Sequence, residues 1–134
     1  MEFTWLSRWQ PQLLAILRIV AALLFIAHGT VKFFGFPVPF PMPGELPPML
    51  LAAGIIELVA GTLILLGLFT RPAAFLASGL AAAAYWIGHA TKGPWPVANM
   101  GDAAILFCFV FLYIAASGPG AWSVDGARRR ARSR

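Results

Sequence analysis

Four apolar runs, separated by proline- and glycine-rich breaks, organise this sequence. They cover residues 12–31, 48–69, 72–90 and 98–117. An α-helix rises about 1.5 Å per residue, so about 20 residues cross the roughly 30 Å hydrocarbon core of a bilayer. The pattern therefore predicts an all-α integral membrane four-helix bundle, with both termini on the same side of the membrane.

The breaks between these runs contain residues that end or begin helices. Pro47 and Pro48 open the second run, where proline is tolerated in a first helical turn. Residues 70–72 form a short second connection, and glycine–proline clusters at 93–96 and 118–120 stop the third and fourth runs. Each break thus supports the predicted helix bounds.

The first connection is unusual, because the segment from Phe33 to Pro48, both included, contains six prolines. Alternating prolines exclude a helix or a central strand and favour an extended chain. This proline segment, residues 35–47, is predicted to be either a rigid spacer or a lid over a site in the bundle.

Basic residues predict the orientation of the helices. With a cytoplasmic N-terminus, Arg8, Arg71 and the basic tail 120–134 lie inside, whereas only Lys32 and Lys92 lie outside. Both termini are therefore expected in the cytoplasm. Five of the ten basic residues stand in the last seven positions, and such a tail suits anionic lipid headgroups.

Composition excludes several classes of protein. The chain is 60% hydrophobic and only 11% charged, with a mean hydropathy of +0.78, which excludes an ordinary small soluble domain. The net charge of +5 does not indicate nucleic-acid binding, since the basic residues are not spread over a folded face with stacking residues. Cys108 is the single cysteine, so no intramolecular disulfide forms.

Several polar side chains fall within the apolar runs, where each charged group costs about 2.5–3.5 kcal/mol on insertion scales. Their depths predict a functional polar cluster in the outer half of the bundle, made of His28, Lys32, Glu57, His89, Asn99 and Asp102. Arg18 lies in the inner half, and a buried ion pair between Arg18 and Glu57 is predicted. Gly54 and Gly61 share a face with Glu57, and this face allows close helix approach.

Each cluster member also has a purely structural interpretation. Asn99 and Asp102 resemble a helix-capping pair, and His89 could lie at the membrane interface. His28 could donate a hydrogen bond to a backbone carbonyl, and Lys32 could extend towards the headgroups. These alternatives stay open at the level of sequence.

Two ligands fit the chemistry of the cluster. A quinone ring could lie between aromatic side chains, with a histidine bonded to its carbonyl and with Glu57 or Asp102 exchanging its proton. A divalent metal bound by His28, His89 and Asp102 is the weaker hypothesis, because the sequence has no short ligand motif such as H-x-x-x-H.

Three segments resemble the DoxX family of small four-helix membrane proteins. They are Leu17–Gly35 (LRIVAALLFIAHGTVKFFG), Gly54–Ala73 (GIIELVAGTLILLGLFTRPA) and Gly101–Asp125, which ends in SGPGAWSVD. On this match the family's characteristic polar and glycine positions are Arg18, His28, Lys32, Gly35, Glu57, Arg71 and Asp102. Asp102 stands where a glutamate is expected, and the proline segment departs from the family pattern.

The resemblance implies a multi-pass protein of the bacterial inner membrane. It further implies association with a quinone- or thiol-linked redox system, as a non-catalytic or partner-dependent oxidoreductase subunit with a redox protein partner. A small-solute or ion permease and a non-catalytic assembly factor or scaffold are the alternatives. Glycine- and alanine-rich helix faces also predict a homo-oligomer.

Overall fold

The computed structural model describes residues 3–134 and confirms the all-α fold class. The helices are α1 Thr4–Ser7, α2 Gln10–Phe34, α3 Pro48–Leu66, α4 Thr70–Ala84, α5 Pro96–Asn99, α6 Asp102–Ser117 and α7 Val124–Arg132. A π-helical turn, Tyr85–His89, and a 3-10 turn, Ala90–Lys92, continue α4.

Three helical segments are long and apolar enough to cross a membrane: Gln10–Phe34, Pro48–Leu66 and Thr70–Lys92. The fourth, α6, is a mainly apolar helix of 16 residues and is therefore about 24 Å long. The predicted helix 98–117 is divided in two, because Met100 has a left-handed backbone (φ 60°) that ends α5. The predicted tail 120–134 contains α7, which Ser123 caps by accepting a hydrogen bond from the Gly126 N–H at 3.1 Å.

The helices pack in a ring in chain order, with α3 between α2 and α4, and with α6 against α4. Aromatic side chains close the ring between α2 and α6. The Phe25 ring lies 4.9 Å from Phe111 and 5.7 Å from Phe107, measured between ring centroids. The seam between α2 and α6 is thus aromatic, whereas alanines fill the core beside α4.

Glycines bring α2 and α3 close together, as predicted for the Glu57 face. A Cβ atom at Gly54 would lie 2.7 Å from Phe33, and one at Gly61 would lie 2.6 Å from Ile26. Only hydrogen fits at these two positions, so the backbones of α2 and α3 approach closely. This close approach places Lys32 opposite Glu57.

One end of the bundle, which we call the arginine end, holds the start of α2, the connection from α3 to α4, and the segment from the end of α6 into α7. Arg18 is fully buried there and donates to five backbone carbonyls. They belong to Pro119 (2.8 Å), Ile64 (2.8 Å), Leu65 (2.5 Å), Ala121 (3.3 Å) and Trp122 (2.9 Å). A guanidinium has five N–H donors, so this geometry accounts for all of them.

The predicted ion pair between Arg18 and Glu57 is therefore wrong. Arg18 lies beside the C-terminal carbonyls of α3, and Ile64 is seven residues beyond Glu57, which is about 10 Å along the helix axis. Carbonyls left without partners at the end of α3 carry partial negative charge, and Arg18 neutralises them.

Two further contacts hold the arginine end together. Asp125 accepts hydrogen bonds from the Phe69 N–H (3.0 Å), the Thr70 N–H (2.9 Å) and the Thr70 hydroxyl (2.8 Å), and so caps the N-terminus of α4. Arg71 donates to the carbonyls of Ala115 and Ala116 at the end of α6. Arg18 and Asp125 thus fasten the segment after α6 to the bundle, and Arg71 fastens the end of α6 itself.

Candidate functional site

Lys32 and Glu57 form a buried ion pair at the opposite end, which we call the histidine end. The Lys32 ammonium donates to both carboxylate oxygens of Glu57, at 2.7 and 2.9 Å, and to the His28 carbonyl at 3.2 Å. Each side chain of the pair is only 10% exposed. Lys32 therefore supplies the charge compensation that the sequence pattern assigned to Arg18, and all three of its donors are used.

His28 lies one turn before Lys32 on α2. Its Nδ1–H donates to the Leu24 carbonyl at 2.8 Å, and a carbonyl only accepts, so this nitrogen carries the proton. In the neutral ring, Nε2 is consequently an acceptor. The ring meets Phe107 of α6 edge to face, with centroids 5.6 Å apart. His28 therefore offers one oriented hydrogen-bond acceptor.

His89, which follows α4, has the same arrangement. Its Nδ1–H donates to the Asn99 carbonyl at 3.0 Å, which again leaves Nε2 as an acceptor in the neutral ring. The π-helical turn Tyr85–His89 carries this side chain at the end of α4. A π-turn in an apolar helix is rare and often marks a functional position.

Asn99 is buried and fixes the loop that holds His89. Its amide donates to the Gly93 carbonyl at 2.9 Å, and its side-chain oxygen accepts from the Gly101 N–H at 2.8 Å. The structure therefore gives Asn99 a positioning role rather than a place on a cavity wall.

A cavity of about 140 Å³ lies between α2, α3, α4 and α6 at the histidine end. His28, Glu57 and His89 contribute its polar wall. The apolar wall includes Phe25, Phe107, Met100, Leu80 and four alanines. Three of the six predicted cluster residues thus meet at one cavity, although they come from three different helical segments.

A second cavity, of about 300 Å³, lies beneath the proline segment. Pro37, Phe40 and Pro41 form one side of it, and His28 and Lys32 form the other. The Thr30 hydroxyl holds the segment in place by donating to the Phe36 carbonyl at 2.8 Å. His28 therefore borders both cavities, and the proline segment covers the outer one.

Asp102 is not brought to the cavity. It stands in the first turn of α6, is exposed, and forms no salt bridge within residues 3–134. A carboxylate in a first turn is favourable because it faces the positive end of the helix dipole. Over the same residues, no group of three or more His, Cys, Asp or Glu side chains could hold a metal ion, so His28, His89 and Asp102 are not assembled as the candidate metal site.

The sequence interpretation missed the aromatic cluster beside the cavity, of which Phe25 and Phe107 form part of the wall. Phe107 and Phe111 stack with ring centroids 5.6 Å apart, and both contact Phe25. Their i, i+4 spacing on α6 was the available signal, but an aromatic pair at this spacing is equally typical of an ordinary core. Only the contact between Phe107 and His28 distinguishes an aromatic cavity wall from an ordinary core.

Comparisons with known proteins identify relatives of this chain. The sequence pattern of the DoxX family matches residues 13–90. An uncharacterized protein of Haemophilus influenzae is 47% identical over 127 residues, which cover 90% of this chain and 93% of the relative. The inner membrane protein YphA of Escherichia coli is 36% identical over 131 residues, which cover 87% of this chain and 90% of the relative. No solved structure shows significant similarity.

A third relative, an uncharacterized membrane protein of Mycobacterium tuberculosis, is 28% identical over 133 residues, covering 86% of this chain and 80% of the relative. Together with the three long apolar helices, these relatives confirm the predicted multi-pass location in the bacterial inner membrane. The family pattern covers more than half of the sequence, and two relatives exceed 30% identity over most of it. The chain belongs to the DoxX family.

Proposed function

We propose that this protein is a membrane subunit of a redox system that binds the headgroup of a quinone at the histidine end. The observation that carries the proposal is the cavity of about 140 Å³, where Glu57 and two histidines border a mainly apolar, aromatic wall. A concave, mainly apolar pocket with a few convergent polar groups is the usual form of a small-molecule site.

The size of the cavity matches a single six-membered ring, since a cavity of about 150 Å³ in another protein binds benzene. The isoprenoid tail of a quinone would remain in lipid. His28 and His89 each hold Nδ1–H on a carbonyl, so each neutral ring offers Nε2 to a quinol hydroxyl. Two fixed acceptors and a flat aromatic wall favour a ring with two hydroxyl groups.

Glu57 is the proton-exchanging group in this proposal. It lies at the cavity and is paired with Lys32, and His28 borders the second cavity beneath the proline segment. A proton could therefore pass between Glu57 and the outer cavity by way of His28. Nothing in this group of side chains carries electrons, so the redox partner must supply or accept them.

We further propose that the arginine end faces the cytoplasm, because Arg8, Arg71 and α7 lie there and only Lys32 and Lys92 lie at the other end. Reporter fusions after Phe69 and after Trp122 should then be cytoplasmic. A homo-oligomer is also proposed, and crosslinking in native membranes should trap a dimer or higher species.

Native mass spectrometry after gentle extraction tests the quinone proposal. The wild-type protein should carry a stoichiometric quinone. His28→Ala and Glu57→Gln should remain folded and lose it, whereas Asp102→Asn should retain it, because the exposed Asp102 does not line the cavity. This control separates loss of the ligand from a general effect of changing a polar residue.

Two results would contradict the proposal, and each would favour a different function. Solute or ion flux into proteoliposomes that depends on Glu57, without bound quinone, would favour a permease. An intact partner complex with neither quinone nor flux, unaffected by His28→Ala, would favour an assembly factor or scaffold.

A further inference from the structure

A cavity of about 370 Å³ at the arginine end is separate from the candidate quinone site. It lies between the start of α4, the loop after α6, and α7. Arg71 of α4 and Arg128, Arg129 and Arg132 of α7 border it, together with Asp125. Arg128 and Arg129 stand four and three residues before Arg132, so each lies on the same side of α7 as Arg132.

The positive charge of this cavity is not neutralised by the protein. Asp125 is the single acidic group on its wall, and both of its oxygens accept hydrogen bonds from Phe69 and Thr70. Four arginines and one aspartate leave a net charge of +3. Within residues 3–134 the salt bridge is that between Lys32 and Glu57, so no carboxylate pairs with these arginines.

The cavity lies at the depth of lipid headgroups. The apolar helices α3 and α4 end and begin beside it, and the aromatic side chains of Phe69 and Trp122 are exposed there. The Arg128 guanidinium lies 5.8 Å from the centre of the Phe69 ring. Exposed aromatic residues beside arginines are typical of the boundary between hydrocarbon and headgroups.

An apolar groove of about 400 Å³ adjoins the cavity along the outside of α3 and α4. Phe69 and Pro72 border both spaces. The rest of the groove is aliphatic, with Ile55, Val59 and Leu76 among its walls. A charged cavity that continues into an apolar groove matches one molecule with an anionic head and a hydrocarbon tail.

We propose that this surface is a binding site for an anionic glycerophospholipid. Its phosphate lies among Arg128, Arg129 and Arg132, because a planar guanidinium group can donate two hydrogen bonds to a phosphate. Arg71 already donates to carbonyls of α6 and contributes its charge. One acyl chain lies in the groove between α3 and α4. Basic pockets between membrane helices bind such headgroups in other proteins, and the adjoining groove distinguishes a lipid from free phosphate.

The test uses the full chain in mild detergent, with lipid binding measured by native mass spectrometry. The double variant R129Q/R132Q removes two cavity arginines. The matched control, R130Q/R134Q, removes the same charge from the same tail at positions outside the cavity. The probes are phosphatidylglycerol, phosphatidylcholine, glycerol phosphate and inorganic phosphate.

Wild type and control should bind phosphatidylglycerol in preference to phosphatidylcholine. At about 1 kcal/mol for each basic residue near a headgroup, the two substitutions of R129Q/R132Q should weaken phosphatidylglycerol binding about thirtyfold relative to the control. Equal weakening of both variants would overturn the site in favour of a diffuse effect of the basic tail. Equal displacement of the lipid by glycerol phosphate or inorganic phosphate would overturn the role of the groove.

Discussion

Arg18 and Lys32 are cations of the same helix, and both are buried, but their surroundings differ in a way that separates the two ends of the bundle. Arg18 donates to five backbone carbonyls at the arginine end, which fix the ends of α3 and α6. Lys32 binds one side chain, Glu57, which borders a cavity. Backbone partners cannot change protonation, whereas a carboxylate can.

This difference teaches how a small membrane protein distributes its polar residues. At the arginine end, the buried donors and acceptors satisfy one another, so Arg18 and Asp125 serve the fold. At the histidine end, His28 and His89 use only Nδ1 on the backbone, and Glu57 contacts a space large enough for a ring. Unused hydrogen-bonding capacity beside a cavity is what a ligand site requires.

The largest effect is expected from removing Arg18. Arg18→Ala should lower the free energy of unfolding by about 3–5 kcal/mol, because it leaves five carbonyls without a donor. The free energy of unfolding of Arg18→Lys should lie between those of wild type and Arg18→Ala, since an ammonium has only three donors. The measurement is thermal or denaturant unfolding in detergent. Arg8→Ala, which changes an exposed arginine beside Trp9, is the control, and equal stability of the two alanine variants would contradict the comparison.

The pair at the histidine end should behave differently. Lys32→Met should lower the free energy of unfolding by about 1–3 kcal/mol, because it leaves Glu57 unpaired, although Glu57 can take up a proton. Lys32→Met/Glu57→Leu should restore much of this stability while abolishing quinone binding. Unfolding and ligand retention are measured on the same samples. A double variant less stable than both single variants would show that the pair is required by the fold.

Asp125 should give a smaller effect that depends on pH. Burial alone would raise its pKa, but hydrogen bonds from Thr70 and Phe69 and the charge of Arg128 outweigh burial and lower the pKa below the ordinary value. Asp125→Asn should lower stability by about 1–2 kcal/mol at neutral pH, as expected for loss of a helix cap. Thermal unfolding of wild type and variant measures this difference.

The pH dependence has a definite sign. Because the folded pKa of Asp125 is lowered, its contribution is present above the ordinary value of about 3.9 and is lost as pH falls through the folded pKa. Wild type and Asp125→Asn should therefore converge in stability in acid. The exposed Glu45→Gln is the matched control, and a gap that widens in acid would contradict the capping role.

The smallest effect is expected for Asp102. Asp102→Asn removes only an exposed charge in the first turn of α6, so stability should fall by no more than about 0.5 kcal/mol. Bound quinone should be retained at the wild-type level. Loss of quinone in this variant would extend the site beyond the cavity and weaken the contrast between Asp102 and Glu57.

The resemblance and the apolar pattern together predicted much of this protein. The bounds of α2 and α3 lie within three residues of the predicted ones, because proline at 47–48 and the length of an apolar run are local signals. The break at Met100 was missed, since it depends on a left-handed residue and on the Asn99 side chain. The capping of α4 by Asp125 was also missed, because the contact joins residues 55 positions apart.

For the candidate site, the sequence predicted how deep each polar residue lies in the membrane, but it did not predict which cation pairs with Glu57. Helical rise and spacing placed His28, Glu57 and His89 near one another, and the cavity unites them. The same spacing did not reveal that Lys32 rather than Arg18 faces Glu57. That choice depends on how far α2 is shifted along α3, and glycine contacts between the two helices set the shift.

The sequence alone determined that this protein lies in a lipid bilayer, which segments span it and which residues carry charge into it. Hydrophobicity and helical period are properties of short stretches of chain, so they can be read without the tertiary structure. Tertiary structure alone decided which partner each charge has. Arg18 meets carbonyls that become available only where α3 ends and the chain returns after α6, and Glu57 meets Lys32 only in one register of α2 on α3. Such partners follow from the closing of the bundle, because each hydrogen bond needs atoms from segments far apart in the chain.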